Sequence, residues 1–472
     1  MAETPRYDLA VIGAGSAGLV AARFAADVGA RVALLERDRI GGDCTWTGCV
    51  PSKTLLQAAS VAHNMREAAR FGLTAHLPGV DLAQVMARVK AAVDSVYSHE
   101  SPEELRQQGI DVYFGDVSFI DRQTLRCADR TISTRKTIIA TGARPVVPDI
   151  PGLSLIPFVT YAGIFEVEHL PRRLAVLGGG PIGVELAQAF QRLGSEVTIF
   201  ESQDRLLPMA DPEAAAVLAR CLQNEGVSVR IGTPVASAAP RAGGAILLAG
   251  GGEHEADLVL VATGRRPDHS GLQLERMEVD MSGPRVKVNS RLQTSVPSIY
   301  AAGDAASIVQ FTHYAGFQGY AAARNALFPG RVLGEREGVP WLVFTEPEVG
   351  QIGMTEAEAR KSGARVEVHR LAMENVDRAQ TIGRTQGFVK VVSRPTGRII
   401  GGVAVAANAG AIINELALAI SQRVTLGELA TTIHAYPTFG SGLQQLASDA
   451  AMQRSKRGWR AGLLKSIARR GG

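Results

Sequence analysis

Two stretches of the chain share one alternation of apolar and small residues. Residues 9–36 read LAVIGAGSAGLVAARFAADVGARVALLE, residues 174–201 read LAVLGGGPIGVELAQAFQRLGSEVTIFE, and the two align without a gap. Each predicts an apolar strand, a G-x-G-x-x-G turn, a small-residue helix and a second apolar strand closed by a glutamate. Each half carries a later apolar strand ending in an A-T-G turn: TIIATGARP, with Thr141 and Gly142, and LVLVATGRRPD, with Thr263 and Gly264. From about residue 340, VPWLVFTEPEVGQIG, GFVKVV and IIGGVAVA predict strands, and ANAGAIINELALAIS predicts a helix. The expected fold class is α/β, with two Rossmann-type dinucleotide-binding domains and an α+β C-terminal domain. We expect one nucleotide domain at 1–155, a second at 156–275, a central segment at 276–335 that returns to the first, and a last domain at 340–472.

The glycines of the two turns have distinct tasks. Gly13 and Gly178 permit the tight turn, and Gly15 and Gly180 let a pyrophosphate approach the backbone. Gly18 and Gly183 let each helix pack closely on its strand. The phosphates would sit at the helix N-terminus, where unpaired N–H groups and the macrodipole favour an anion. Glu36 and Glu201 stand where a ribose hydroxyl could donate to them. A lone glycine pattern is weak evidence; two gap-free copies with matching acidic ends imply two bound dinucleotides. In SIYAAGDAA, Asp304 follows a short apolar strand, where it could hold a polyol hydroxyl or cap a helix.

Composition narrows the class without choosing the chemistry. The 472 residues are 46% hydrophobic and 20% charged, with a formal charge of +4. That balance does not suggest nucleic-acid binding, which usually concentrates basic residues in a patch. No apolar run reaches the roughly 18 residues of a membrane helix, and the N-terminal residues show no basic-then-apolar leader. Four cysteines do not make a secreted disulfide framework, so a cytoplasmic location is expected.

Two of these cysteines carry candidate chemistry. In GGDCTWTGCVPSKTLLQAA, Cys44 and Cys49 flank four residues, and Cys49 sits where a helix is expected to begin. A thiol there has its thiolate stabilised, and Lys53, one turn on, adds positive charge. Zinc is disfavoured because no second Cys/His cluster lies nearby, and a structural disulfide is disfavoured by a reducing compartment. Redox catalysis is the better reading, with no resident metal.

GAGSAG, GGDCTWTGCVPSK, ATGARP, GGGPIGVE, ATGRRPD, AAGD and HAYPT occur in one order along nearly the whole chain. In this the sequence resembles the class I pyridine nucleotide–disulfide oxidoreductases, which include dihydrolipoamide dehydrogenase, glutathione reductase and mercuric reductase. The resemblance implies an FAD domain, an NAD(P) domain, a central domain and a dimerisation domain, working as a homodimer. It implies FAD at the first repeat, with Glu36 on its ribose, Asp304 on its ribityl chain, and Gly115, Thr141, Gly142 and Thr312 completing the site. Cys49 would face the flavin and Cys44 the substrate, with Lys53 paired to Glu185 beside the flavin. The nicotinamide nucleotide would bind the second repeat, with Val235 and Gly264 among its contacts. A carboxylate at Glu201 accepts from a free 2′-hydroxyl and repels a 2′-phosphate, so NADH is expected over NADPH, with Arg205 able to weaken that preference.

The sequence also departs from that pattern. In the dehydrogenase and glutathione branches a catalytic histidine is followed five residues later by a glutamate; here HAYPTFGS puts Tyr436 and Ser441 at those positions, and His434 two residues early. A tyrosine near its ordinary pKa of about 10 is a poor proton acceptor at neutral pH. Tyrosine there resembles mercuric reductase, where it helps hold a metal ion. Against this, Phe158 stands where those enzymes carry a second tyrosine, and Trp46 and Thr47 alter the cysteine loop. Three readings follow: a mercuric-reductase-like enzyme passing electrons to a small molecule or soft metal ion, a dihydrolipoyl dehydrogenase with an altered proton relay, or a non-catalytic flavoprotein redox sensor. Trp459, Leu463 and Ile467 in the basic tail have helical spacing suited to an anionic membrane surface, though a solvated tail is favoured.

Overall fold

The computed structural model describes residues 6–74 and 79–455, which form two compact units. The basic tail lies outside the described residues. One unit holds residues up to 202 and 233–336; the other holds 203–232 and the residues from 337 on.

In the first unit, a sheet runs in the order Ile110–Phe114, Val32–Glu36, Arg6–Ile12, Arg130–Ile139, Thr124–Cys127, Val117–Asp121, with Ile299–Ala301 added beside Arg130–Ile139. The central strands are parallel and buried on both faces, which explains why VALLE and DLAVI read as continuous apolar runs rather than alternating ones. Leu9 pairs with Val32 and Ile12 with Leu35, so both strands end together below the first glycine turn. Helix Ser16–Asp27 packs against Thr312–Leu327, and a Cβ at Gly319 would overlap the Ala17 carbonyl. The second repeat builds a parallel array in the order Glu196–Phe200, Arg173–Leu177, Leu258–Val261, Phe158–Thr160. Three antiparallel strands, Val235–Arg241, Gly244–Ala249 and Gly252–Ala256, follow it.

The second unit is an antiparallel sheet ordered Trp341–Val343, Glu348–Gly353, Ile399–Ala406, Phe388–Ser393, Glu367–Ala372. Helices Ala409–Ser421 and Phe439–Ser455 cover it, with Val389, Val391, Ile412, Leu416, Leu443 and Leu446 in the core. Helix Pro212–Asn224 belongs to this unit through its N-cap. Asp211, 4% exposed, takes Lys390 Nζ on both carboxylate oxygens at 3.1 and 3.0 Å. Among the described residues no helix is long and apolar enough to cross a membrane.

Candidate active site

Both glycine turns are built for a diphosphate. Helices Ser16–Asp27 and Pro181–Leu193 have Gly15 and Gly180 as N-caps, with no side chain satisfying their first N–H groups. A Cβ at Gly18 or Gly183 would overlap the carbonyl oxygen of Gly13 or Gly178, so those helices can start where they do only with glycine. Above Gly180 the space is open. Glu36 accepts the Ala14 N–H at 2.7 Å and the Asp38 N–H at 2.8 Å, and Glu201 accepts the Gly179 N–H at 2.6 Å. Each glutamate thus fixes its own glycine turn.

The other expected cofactor residues surround these turns. Gly115 donates its N–H to the Glu36 carbonyl at 2.9 Å, and Thr233, two residues before Val235, does the same for Glu201 at 2.8 Å. Gly142 and Gly264 end their strands with open space above them. The Thr141 hydroxyl is buried with no hydrogen-bond partner among the described residues, an orphan that a ligand hydroxyl or phosphate would satisfy. These donors and openings fit FAD at the first turn and a nicotinamide nucleotide at the second.

The cysteine loop adds the redox centre. Gly42–Trp46 forms one short helical turn, and helix Cys49–Arg66 begins at the second cysteine. The sulfurs are reduced and within hydrogen-bonding reach of each other, and Cys49 Sγ lies 3.2 Å from Thr312 Oγ1 at the start of helix Thr312–Leu327. Hydrogen bonding to Cys44, then to Thr312, together with the Lys53 charge, pulls Cys49 down to about 6; the hydrogen bond with Cys49 and burial push Cys44 up. The reduced pair is therefore asymmetric at neutral pH, with a thiolate at Cys49 and a thiol at Cys44. Lys53 Nζ pairs with Glu185 at 2.9 Å, and Glu185 is 5% exposed. Trp46 turns away from the sulfurs, donating to the Ile40 carbonyl at 2.7 Å and resting on Tyr97 with centroids 5.0 Å apart.

Asp304 is buried, and its carboxylate is held by Arg265 at 2.6 Å. Arg265 also reaches Asp43 and the Tyr161 hydroxyl. Arg265 and Asp43 stand inside motifs read for other residues, whereas Tyr161 carries no motif and had no sequence signal.

In the second unit Tyr436 is 73% exposed and donates its hydroxyl to Asp377 Oδ2 at 2.6 Å, which raises its pKa. Both lie on a cavity of about 270 Å³ with His434, Ser441, Gln444 and Gln445. His434 has both ring nitrogens engaged, Nε2 with Glu415 at 2.6 Å and Nδ1 with the Thr432 carbonyl at 2.9 Å. These partners favour the charged ring and hold its pKa above the usual histidine range, and both nitrogens are already engaged. Ser441 is spent on its own turn: it donates to the Thr438 carbonyl at 2.6 Å, accepts from the Thr438 N–H at 3.3 Å, and gives its N–H to Thr438 Oγ1 at 3.1 Å. Among the described residues no three His, Cys, Asp or Glu side chains group as a metal site.

Comparison with known proteins agrees with this geometry. The pyridine nucleotide-disulphide oxidoreductase family matches residues 7–319, and its dimerisation domain matches 339–447. A mercuric reductase from Staphylococcus aureus is 36% identical over 410 residues, covering 86% of this chain and 75% of that protein. A dihydrolipoyl dehydrogenase from Thermus scotoductus is 37% identical over 455 residues, covering 93% and 96%. Among solved structures, the HOCl-induced flavoprotein disulfide reductase RclA from Escherichia coli superposes with a TM-score of 0.85 at 30% identity, covering 94% of this chain and 99% of that one. RclA has also been solved as a Cu(II) complex, which matches with a TM-score of 0.85 at 29% identity, covering 93% of this chain and 99% of that one. By sequence and by structure the chain belongs to the pyridine nucleotide-disulphide oxidoreductase family, whose members use FAD and NAD(P)H.

Proposed function

We propose that this protein takes electrons from NADH through FAD to the Cys44–Cys49 pair and passes them to a soft acceptor, in the manner of a mercuric reductase, as a cytoplasmic homodimer. The observation that carries the choice of acceptor is the state of Tyr436 and Ser441. One is a neutral phenol bound to Asp377, the other is folded into its turn, and His434 has no free nitrogen. Thiol–disulfide exchange with a dithiol substrate draws on an acid–base group that this surface does not offer. A soft ion needs thiolate sulfur instead, and a neighbour solved with Cu(II) bound supports a metal acceptor.

In this reading Gly13, Gly15, Gly18, Glu36, Thr141 and Asp304 hold FAD, and Gly178, Gly180, Gly183 and Glu201 hold the nicotinamide nucleotide. When bound, FAD would supply two-electron redox chemistry between the nicotinamide nucleotide and the Cys44–Cys49 pair. Hydrogen bonding to Cys44 and Thr312, with the Lys53 charge, keeps Cys49 ionised, which leaves the single proton of the reduced pair on Cys44. Oxidation of this thiolate–thiol pair to the disulfide releases two electrons and the one proton held on Cys44, and the two electrons suffice to take one divalent ion to the metal. The Glu201 carboxylate, which would accept from a free 2′-hydroxyl and repel a 2′-phosphate, supports NADH.

Stopped-flow reoxidation tests the proposal. The protein is reduced with NADH, then mixed with lipoamide, glutathione disulfide, Hg²⁺, Cu²⁺ or a quinone. We expect a metal ion to reoxidise it at least about tenfold faster than lipoamide, within the contribution usual for acid–base assistance. Lipoamide as the fastest acceptor would establish dihydrolipoyl dehydrogenase chemistry in its place, and no reoxidation by any of them would favour a sensor. A larger kcat/KM for NADPH than for NADH would overturn the nucleotide assignment.

A further inference from the structure

One polar cluster joins a residue of the proposed FAD site to the cysteine loop. Arg265 sends Nε to the Tyr161 hydroxyl at 3.1 Å, Nη1 to Asp304 at 2.6 Å and Nη2 to Asp43. Tyr161 closes the figure by donating to Asp43 Oδ2 at 3.1 Å. The four groups come from separate stretches of sequence: the cysteine loop, the residue after strand Phe158–Thr160, the start of strand Arg265–Pro267, and the AAGD turn. Tyr161 is 4% exposed, and the Arg265 and Asp304 side chains are 19% and 10% exposed. Asp43 is the residue directly before Cys44, so whatever holds its carboxylate also holds the backbone that carries the substrate-facing sulfur.

The charges in this cluster do not balance. Two carboxylates share one guanidinium, and a buried carboxylate without a cation or donors is costly. Burial pushes the Asp304 carboxyl up, and Arg265 opposes that push. Donors supplied to Asp304 from elsewhere relieve Arg265 of part of this demand and leave it freer to serve Asp43. The hydroxyls of a ribityl chain are donors of that kind. Their arrival at Asp304 therefore tightens the hold of Arg265 on Asp43 and steadies the loop before Cys44.

We propose that Asp43, Tyr161 and Arg265 are positioning residues that couple FAD binding at Asp304 to the seating of the Cys44 loop. Coupling between two binding events is reciprocal, so Asp43 strengthens FAD binding by the factor by which FAD strengthens the hold on Asp43. The proposal rests on the reading that Asp304 receives FAD.

A double-mutant cycle on FAD affinity tests it. Full-length protein is freed of flavin and titrated with FAD, following flavin fluorescence, for wild type, Asp43→Asn, Asp304→Asn and the double variant. We expect Asp43→Asn to raise the Kd at least about fivefold, the lower end of ordinary coupling factors. The double variant should then bind clearly better than the product of the two single effects predicts. Multiplicative effects would overturn the coupling, whereas an Asp304→Asn variant that binds FAD like wild type would instead overturn the placement of FAD at Asp304. If Asp304→Asn does not fold, the amide hydrogen-exchange rate of residues 42–46 in reduced protein decides. Adding FAD should change that rate at least about threefold in wild type and leave it nearly unchanged in Asp43→Asn; equal responses in the two proteins would overturn the proposal.

Discussion

Tyr436 donates its hydroxyl hydrogen bond to Asp377 across 2.6 Å, so the residue that by resemblance stands at an acid–base position is a neutral phenol whose proton is already engaged. A carboxylate beside a phenol disfavours the phenolate, which is why the shift at Tyr436 is upward. The same contact removes the residue from service as a base and leaves its oxygen lone pairs facing solvent.

Replacing Tyr436 by histidine should accordingly do little alone. General acid–base assistance is typically worth 10²–10⁴-fold, but an imidazole needs an oriented partner and Ser441 supplies no carboxylate. We expect Tyr436→His to raise dihydrolipoamide oxidation less than about tenfold, against that typical range. Steady-state turnover with dihydrolipoamide checks it; a gain above about 100-fold would mean that the imidazole finds its own partner.

Cys49 sets the pH range of the redox centre. Its thiolate is present above about 6 and is lost as the pH falls through that value. Iodoacetamide labelling of Cys49 in reduced protein should follow this midpoint. Cys44→Ala removes the largest favourable interaction and Lys53→Met removes a nearby cation, so both should move the midpoint up towards the ordinary thiol range, Cys44→Ala further. A midpoint that stays put in both variants would remove hydrogen bonding and the lysine as its causes.

The second unit should lose stability as pH rises from about 6.5, the ordinary histidine value. Burial works against the charge on His434, but Glu415 and the Thr432 carbonyl outweigh it and hold its pKa above the usual range. A group raised in the folded state stabilises fully below its unfolded pKa, and that contribution is lost as pH climbs through the folded value. Urea midpoints between pH 6 and 8 should therefore fall more steeply for wild type than for His434→Gln. Parallel slopes would mean that the imidazolium contributes nothing to folding.

Lys390 is the sharper test of how helix Pro212–Asn224 is held. Its side chain is 9% exposed, against 5% for Asp211. Lys390→Met leaves a buried carboxylate without its cation and should cost about 3 kcal/mol. Arg370→Met breaks a half-exposed pair with Glu213 and should cost less than about 1 kcal/mol. Urea unfolding at constant m-value measures both.

The parts of this molecule that sequence reading reaches are those where chemistry and chain continuity coincide. The two turns around Gly13 and Gly178 need strand, glycines, helix and closing glutamate in fixed succession, so 28 consecutive residues state each one. Cys44, Cys49 and Lys53 lie within one loop and one helical turn, and periodicity alone puts them together. Asp377 meets Tyr436 across 59 positions, Tyr161 meets Asp43 across 118, and Arg265 meets Asp43 across 222. Nothing local marks such partners, because each sits on an ordinary turn or strand end and gains its role only when the chain closes. Helix Pro212–Asn224 is the same case at larger scale, its place fixed by a lysine 179 residues away.

The mutual hydrogen bonds of Thr438 and Ser441 constrain any redesign of this segment. Because Ser441 is structural glue for the turn after Tyr436, a glutamate there would disturb that turn before it could serve any chemistry, and a histidine at 436 would gain nothing until the glutamate arrived. Each step toward an imidazole–carboxylate pair is unrewarded on its own. Turning this segment into such a pair therefore asks for both replacements at once, together with a new way to close the turn.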